Sequence, residues 1–218
     1  MKARLAMVIL GLTIGSALGD GVKEANELIK KSKRSDVEAL DVLNLVKGDL
    51  TEEGVEKVLE WVIEHGFADE RVKVGELIGK VPENDQLTLK YIRALSFYGE
   101  REQLEAVIKK LEKGGVRHKA RFRLALLIAE DAQRNLTLTD AERATKNKEV
   151  VGILEKLEKE EGLDEILEKW IADLQYKVTH LVVGCEAPDI EGVDHDGKKI
   201  RLSEFRGKVV LMPFWGMW

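Results

Sequence analysis

Apolar residues recur at three- and four-residue intervals from Val22 to about Lys177, and the pattern turns to extended segments only after that. The periodicity predicts a first helix over Val22 to Lys33. A second opens at Ser35, an N-cap residue type, with Val37, Leu40, Leu43 and Val46 on its apolar face. Thr51-Glu52-Glu53-Gly54 begins the next, in which Val55, Val58, Leu59, Val62 and Ile63 repeat at helical spacing until Gly66 ends it. A short helix is predicted over Asp69 to Gly79, with Pro82 as punctuation. Asn84 or Asp85 caps a helix carrying Leu87, Leu89, Ile92 and Leu95 that breaks near Gly99. Glu100 to Lys113 follows, with Leu104, Val107, Ile108 and Leu111 on one side, and Gly114-Gly115 closes it. Arg117 to Ala132 contains Phe122, Leu124, Leu126, Leu127 and Ile128, a face broad enough to predict the most buried helix of the set. Thr139 and Asp140 cap a short helix, and Asn147 to Glu160 and Leu163 to Val178 complete the region.

Helices of roughly a dozen residues with short joins pair as antiparallel hairpins, the look of helical repeat arrays. The tetratricopeptide period of about 34 residues is not kept at regular positions, so the expectation is an irregular helical-hairpin array or bundle. Such a domain presents a groove to a protein partner, or serves as a spacer or dimerisation module. Both readings stand at this point.

At Thr179 helical spacing gives way to extended segments, which sets a domain boundary between 20–178 and 179–218. Leu181-Val182-Val183 leads in, and Pro188 confines its own position to an edge. Ile190 to Val193 and Ile200 to Leu202 form a hairpin about Asp196-Gly197, Ser203 caps a single turn containing Glu204 and Phe205, and Val209 to Phe214 reads as a buried strand.

Composition changes this picture little: 44% apolar, 34% charged and a net charge of -5 describe an ordinary chain without the basic, aromatic-interleaved patch that nucleic acid needs. The first residues add more. Lys2 and Arg4 precede an apolar run from Leu5 to Leu12, and small residues Gly15, Ser16, Ala17 and Gly19 follow. That is a signal-peptide pattern over 1–19 with cleavage expected ahead of Asp20, which places the mature chain outside the cytoplasm, secreted or periplasmic, with no membrane anchor left. A single cysteine, Cys185, allows no internal disulfide, and no cationic residue stands within three positions of it to activate the thiol. It is therefore expected to be incidental. His65, His118 and His180 have no ligand-spaced partners, and His195 within Asp194-His195-Asp196-Gly197 suits a hairpin turn better than a metal site. No metal and no cofactor are expected. Asn135-Leu136-Thr137 matches a glycosylation acceptor.

The last stretch, Gly184 to Trp218, holds Ala187-Pro188-Asp189, then Asp196-Gly197-Lys198, then Leu202-Ser203 with Gly207-Lys208, and finally Phe214-Trp215-Gly216 and Trp218. In that order and spacing these motifs resemble the opening of a thioredoxin-like redoxin domain, of thiol-disulfide oxidoreductases and thiol peroxidases. The resemblance implies a mainly α chain followed by the first strands of an incomplete α/β thioredoxin-like domain. It also implies protein thiols and disulfides, or peroxide, as substrates. Trp215 and Trp218 take the positions that shield the reactive group and shape substrate access. Pro213, which removes a ladder donor from a central strand, and Gly216-Met217 depart from the family pattern.

The resemblance puts the reactive cysteine, poised at a helix N-terminus where the dipole favours thiolate, directly after Trp218. No catalytic residue is therefore expected within 1–218, and the chain as given is expected to be inactive. Chance would seldom end a chain at that one position, so the expected cause is an opal codon for selenocysteine read as a stop. A nonsense mutation, a gene fragment and a contig edge are the rivals. A helical partner-binding scaffold with a vestigial redoxin tail is the competing function.

Overall fold

The computed structural model describes residues 21–31, 38–46, 50, 54–78, 85–112, 114–213 and 216. Residues 1–19, where a signal peptide is expected, and Ser35, Val37, Thr51 to Glu53, Pro82, Asn84, Trp215 and Trp218 lie outside the described residues.

Helices form where the apolar stripes predict them, except that the second starts at Ala39 after an extended N-cap at Glu38 and not at Ser35: α1 Gly21–Lys31, α2 Ala39–Leu45, α3 Val55–His65, α4 Ala68–Ile78, α5 Asp85–Tyr98, α6 Arg101–Lys110, α7 Gly115–Arg134, α8 Asp140–Glu158 and α9 Glu165–His180. The α3 stripe of Val55, Val58, Leu59, Val62 and Ile63 is buried throughout. After α9, which runs two residues past the expected boundary, come only a short antiparallel hairpin, β1 Glu191–Val193 with β2 Lys199–Arg201, and a 3-10 turn over Leu202–Phe205. The chain is mainly helical with the beginning of a β-region at its C-terminal side.

The arrangement of the helices follows chain order. Each packs on the next, α1 on α3, α3 on α5, α5 on α7 and α7 on α9 join the odd-numbered helices into one layer, and even-numbered neighbours meet substantially only at α2 and α4. Among the described residues no two helices further apart in order make more than marginal contact. This is the contact pattern of an open stack, not of a bundle closed around one centre. The odd helices begin at Gly21, Val55, Asp85, Gly115 and Glu165, so the interval is irregular, as expected.

Two differences from the sequence reading have physical causes. The broad face of α7 is buried through Ala120, Phe122, Ala125, Ile128, Ala129 and Ala132, while Leu124, Leu126 and Leu127 are only partly covered. Small side chains let α7 approach α5, α6, α8 and α9 closely, which size-weighted periodicity does not register. Secondly, the two helices expected on either side of Asn147 are one, α8. A capping box starts it: the Glu142 N–H donates to Thr139 Oγ1 at 3.3 Å, and Glu142 Oε2 accepts from the Thr139 N–H at 2.7 Å. Its first turns show no apolar stripe. They are held by polar ties instead, Arg143 to the carbonyl oxygens of Ala132 and Asn135, and Lys146 to Asp131 at 2.8 Å.

α4 has a weak stripe and buries Arg71 beside Val74 and Ile78. The Arg71 Nε donates to Glu100 Oε1 at 2.8 Å, Nη2 reaches the same oxygen at 2.5 Å, Nη1 bonds the Gly66 carbonyl, and the guanidinium lies 3.9 Å from the Tyr98 ring centre. Tyr91 Oη donates to the Arg71 carbonyl at 2.8 Å, and burial, reinforced by Glu100, pushes the phenol up to about 12. Gly75 permits this approach, since a Cβ there would lie 2.4 Å from Tyr91 Oη. One residue ties α3, α4, α5 and α6 together.

His118 on α7 is buried, with Nε2 3.1 Å from Glu160 Oε2 and Nδ1 without a partner. A neutral ring donating from Nε2 fits this site, because a proton on Nδ1 would be buried unpaired. Burial, with Arg121 and Arg117 nearby, holds its pKa below the usual histidine value against the opposing pull of Asp164.

Two predictions follow from these buried groups. Arg71→Met leaves the Glu100 carboxylate buried and unpaired and is expected to lower stability by about 3–5 kcal/mol, whereas Arg71→Met with Glu100→Leu loses much less; urea denaturation of both measures this, and equal losses would refute the assignment. For His118 the folded-state pKa is depressed. The stability tied to its neutral form is therefore intact above a pH of about 6.5 and is lost as pH falls through the lower folded value. The urea midpoint should drop between pH 7.5 and 5.5 in the natural chain, with a shallower slope in His118→Gln.

Candidate functional site

The residues that carry the redoxin resemblance are the ones that hold the C-terminal segment in shape. The hairpin register is Glu191 opposite Arg201, Gly192 opposite Ile200 and Val193 opposite Lys199, with a 2.7 Å ion pair between Arg201 and Glu191. At its turn Asp194 Oδ1 accepts from the N–H groups of Asp196 and Lys198 at 3.0 and 2.9 Å, and Gly197 takes the positive φ that closes the loop. His195 is exposed on this turn, 3.4 Å from Asp196, and among the described residues no cluster of potential metal ligands forms.

Asp189 ties the two ends of this segment together. Its Oδ1 accepts from the Ser203 N–H at 2.8 Å and its Oδ2 from the Ser203 hydroxyl at 2.7 Å, which clamps the Ala-Pro-Asp turn onto the 3-10 turn. These bonds hold the Asp189 carboxyl below the usual range. The Leu202 N–H donates to the Ile190 carbonyl at 3.0 Å, and Arg206 pairs with Glu186 at 2.5 Å. The sequence reading has Ser203 capping its own turn. In the structure that turn starts at Leu202 without a side-chain cap, and Ser203 serves Asp189 instead. Nothing in local spacing signals this, because the partners are far apart in sequence and meet only after the hairpin has formed.

The expected buried strand beginning at Val209 is not formed. From Val209 to Pro213 the chain has no assigned strand; Val209 and Leu211 are almost fully exposed, and Val210 and Met212 are about half so. A central strand needs neighbours for its N–H and C=O groups and a face to cover its side chains, and among the described residues this segment has neither. The side chains still alternate, which is the pattern of a strand. Both hairpin strands are likewise exposed on every residue.

Cys185 is exposed, and its backbone N–H donates to the Val182 carbonyl at 3.1 Å while Sγ lies 3.4 Å from the Thr179 carbonyl. His65 stacks on Trp61 and His180 on Tyr176. Asn135 caps the C-terminal end of α7, with Oδ1 accepting from the N–H and hydroxyl of Thr137. Phe214, Trp215 and Trp218 carry no structural description, so the substrate-access positions are known only through the resemblance.

Because folding depresses the Asp189 pKa, the clamp is at full strength above a pH of about 4 and weakens as pH falls through the lower folded value. An NMR titration should place the Asp189 carboxyl below an ordinary aspartate, and Ser203→Ala should return it towards that value; an unshifted carboxyl in the natural chain would contradict the clamp.

Part of the chain is similar to known proteins. Over 42 residues it is 45% identical to the thiol-disulfide oxidoreductase ResA of Bacillus thuringiensis subsp. konkukian and to that of Bacillus cereus, covering 19% of this chain and 24% of each relative. It is 45% identical over 40 residues to the ResA of Geobacillus thermodenitrificans, covering 18% and 23%. The chain thus spans about a quarter of the length of the curated relatives it matches. No protein-family model matches, and no solved structure is significantly similar. A limited stretch of this chain is related to thioredoxin-like thiol-disulfide oxidoreductases.

Proposed function

We propose that the region from Gly184 onward is the leading part of a thioredoxin-like thiol-disulfide oxidoreductase domain, carried by an exported protein behind a helical array. The observation that carries the reading is the Asp189–Ser203 clamp around the β1–β2 hairpin. It joins two of the separated motifs on which the redoxin resemblance rests, and the partial identity to oxidoreductases of this kind supports it independently. The uncovered, alternating residues Val209 to Met212 fit the first central strand of such a domain.

The chemistry then belongs to a reactive thiol or selenol beyond the Phe-Trp-x-x-Trp positions. It attacks a substrate disulfide, forming a mixed disulfide and releasing one substrate thiolate; a second thiol of the domain attacks that bond, so the substrate leaves as a dithiol and the domain is left oxidised. An external dithiol restores it. Trp215 and Trp218 flank the attacking group and limit access to it. Cys185 stands apart, tied to the end of α9, and takes no part. No described helix is long and apolar enough to cross a membrane.

A second reading, a partner-binding scaffold, is favoured by the open stacking of the helices, which leaves the odd layer available along its length. The experiment is insulin reduction driven by dithiothreitol, comparing residues 20–218 with the product of the complete reading frame. The complete product should accelerate reduction and residues 20–218 should not. Turnover by residues 20–218 that is lost in Cys185→Ser would overturn the exclusion of Cys185. An inert complete product would leave the scaffold, and peroxide consumption in place of insulin reduction would make the protein a peroxidase.

A further inference from the structure

The helical array exposes a row of large apolar side chains along one edge. Because α3, α5, α7 and α9 pack side by side with an intervening helix returning between each pair, their C-terminal ends share that edge. At those ends stand Phe67, Phe97 in the last turn of α5, Leu136 and Val183, each 81–90% exposed. Neighbouring loops are in register. Arg71 joins the Gly66 carbonyl to the Tyr98 ring. A cleft of about 500 Å³ has Phe97 and Gly99 on one wall and Arg134 and Asn135 on the other, over a floor of Leu127 and Ile128. Arg143, which bonds the Asn135 carbonyl, in turn lines a cleft of about 390 Å³ with Val183 and Cys185. A lone exposed Phe or Leu is ordinary. One at the C-terminal end of each of four odd-numbered helices, the last next to Gly184, forms a track along that edge.

Charge narrows what the track accepts. Arg101 in the larger cleft is held by Glu105 and Glu149, and Lys146 by Asp131, whereas exposed Arg134 has no ion pair among the described residues. The cleft therefore offers an apolar floor, an aromatic rim and one available guanidinium. Of the carboxylates nearby, Glu70 accepts from the Phe67 N–H and Asp131 is paired with Lys146.

We propose that this edge docks an extended polypeptide, with a large apolar side chain in the cleft between α5 and α7 and a neighbouring carboxylate on Arg134. On the reading given under Proposed function, that polypeptide is the disulfide-bearing client, held beside the domain that reduces it. Docking raises the local concentration of the client disulfide without adding chemistry.

The test uses fluorescently labelled, reduced and carboxymethylated lactalbumin, an unfolded polypeptide with no disulfide, and follows anisotropy on adding the full chain. The natural chain should bind, Phe97→Ser with Leu136→Ser should bind about tenfold more weakly, and Arg134→Glu should weaken binding and flatten its salt dependence. Ile166→Ser, exposed on α9 away from the edge, is the control and should bind like the natural chain. Thermal unfolding should be unchanged in all three variants, since every altered side chain is exposed. Absence of binding by the natural chain would overturn the proposal, as would undiminished binding by the double variant, the result expected if Val209 to Met212 were the sticky surface. Loss in the double variant of self-association by sedimentation, or of phosphatidylcholine vesicle binding, with polypeptide binding intact, would reassign the edge to a second copy or to a membrane and equally overturn it. The probe requires no redox step. Its failure leaves the oxidoreductase reading standing, and failure of insulin reduction with binding intact removes only the client's disulfide.

Discussion

The constraint on which the structure depends is that every helix must bury its apolar face against helices one or two places away along the chain. Among the described residues nothing more distant covers it substantially. Stability in such a stack is close to a sum of neighbouring interfaces, so a helix with a poor stripe needs another kind of hold. α4 is that helix. It contributes two buried aliphatic side chains and a buried arginine, and the arginine works because Glu100, the Gly66 carbonyl and the Tyr98 face all meet it. An ion pair so deeply placed gains little net energy over an apolar substitute. Its consequence is geometric: it fixes the α3–α4 and α5–α6 loops against each other, and with them one edge of the array.

The C-terminal region is held by different physics. It has no core of its own among the described residues, and its shape comes from Asp189, Asp194, Arg201 and Arg206, all engaged in polar contacts near the surface. Exposed hydrogen bonds of this sort compete with water and contribute little each, enough to set the register of a hairpin. The exposed Ile190, Val193, Ile200 and Val209 supply the complementary half of that statement. A two-stranded hairpin by itself covers none of them.

Most of the helical architecture was legible because periodicity and burial are the same signal in α3 and α5, where Val58, Leu59, Leu87 and Leu95 recur on one face and are fully buried. Three features were not. Alanine-mediated packing on α7 depends on closeness of approach, which a count of large apolar residues underrates. The continuity of α8 through Asn147 rests on the Thr139 capping box and on polar ties to α7, without a stripe to announce it. The burial of Arg71 depends on Glu100, which stands beyond the turn that ends α5. The redoxin resemblance was legible for the opposite reason: its motifs are turn residues whose conformations are local, as at Asp194 and Gly197. The Asp189–Ser203 partnership that unites them is tertiary and lay beyond any local reading.

The joint between the two regions links these two kinds of order. α9 ends at His180, and the chain does not leave it as a free tether: the Leu181 N–H still bonds Lys177, the Cys185 N–H bonds Val182, and Cys185 Sγ stays near the Thr179 carbonyl. Only a few residues separate this knot from Asp189, where the clamp to Ser203 takes hold. A flexible linker lets a module sample a volume set by its length, whereas a short, hydrogen-bonded joint confines whatever it carries to one neighbourhood. The joint emerges at the end of an odd helix, on the same edge as Phe67, Phe97 and Leu136. The arrangement of the array therefore determines which of its surfaces stands next to the C-terminal segment.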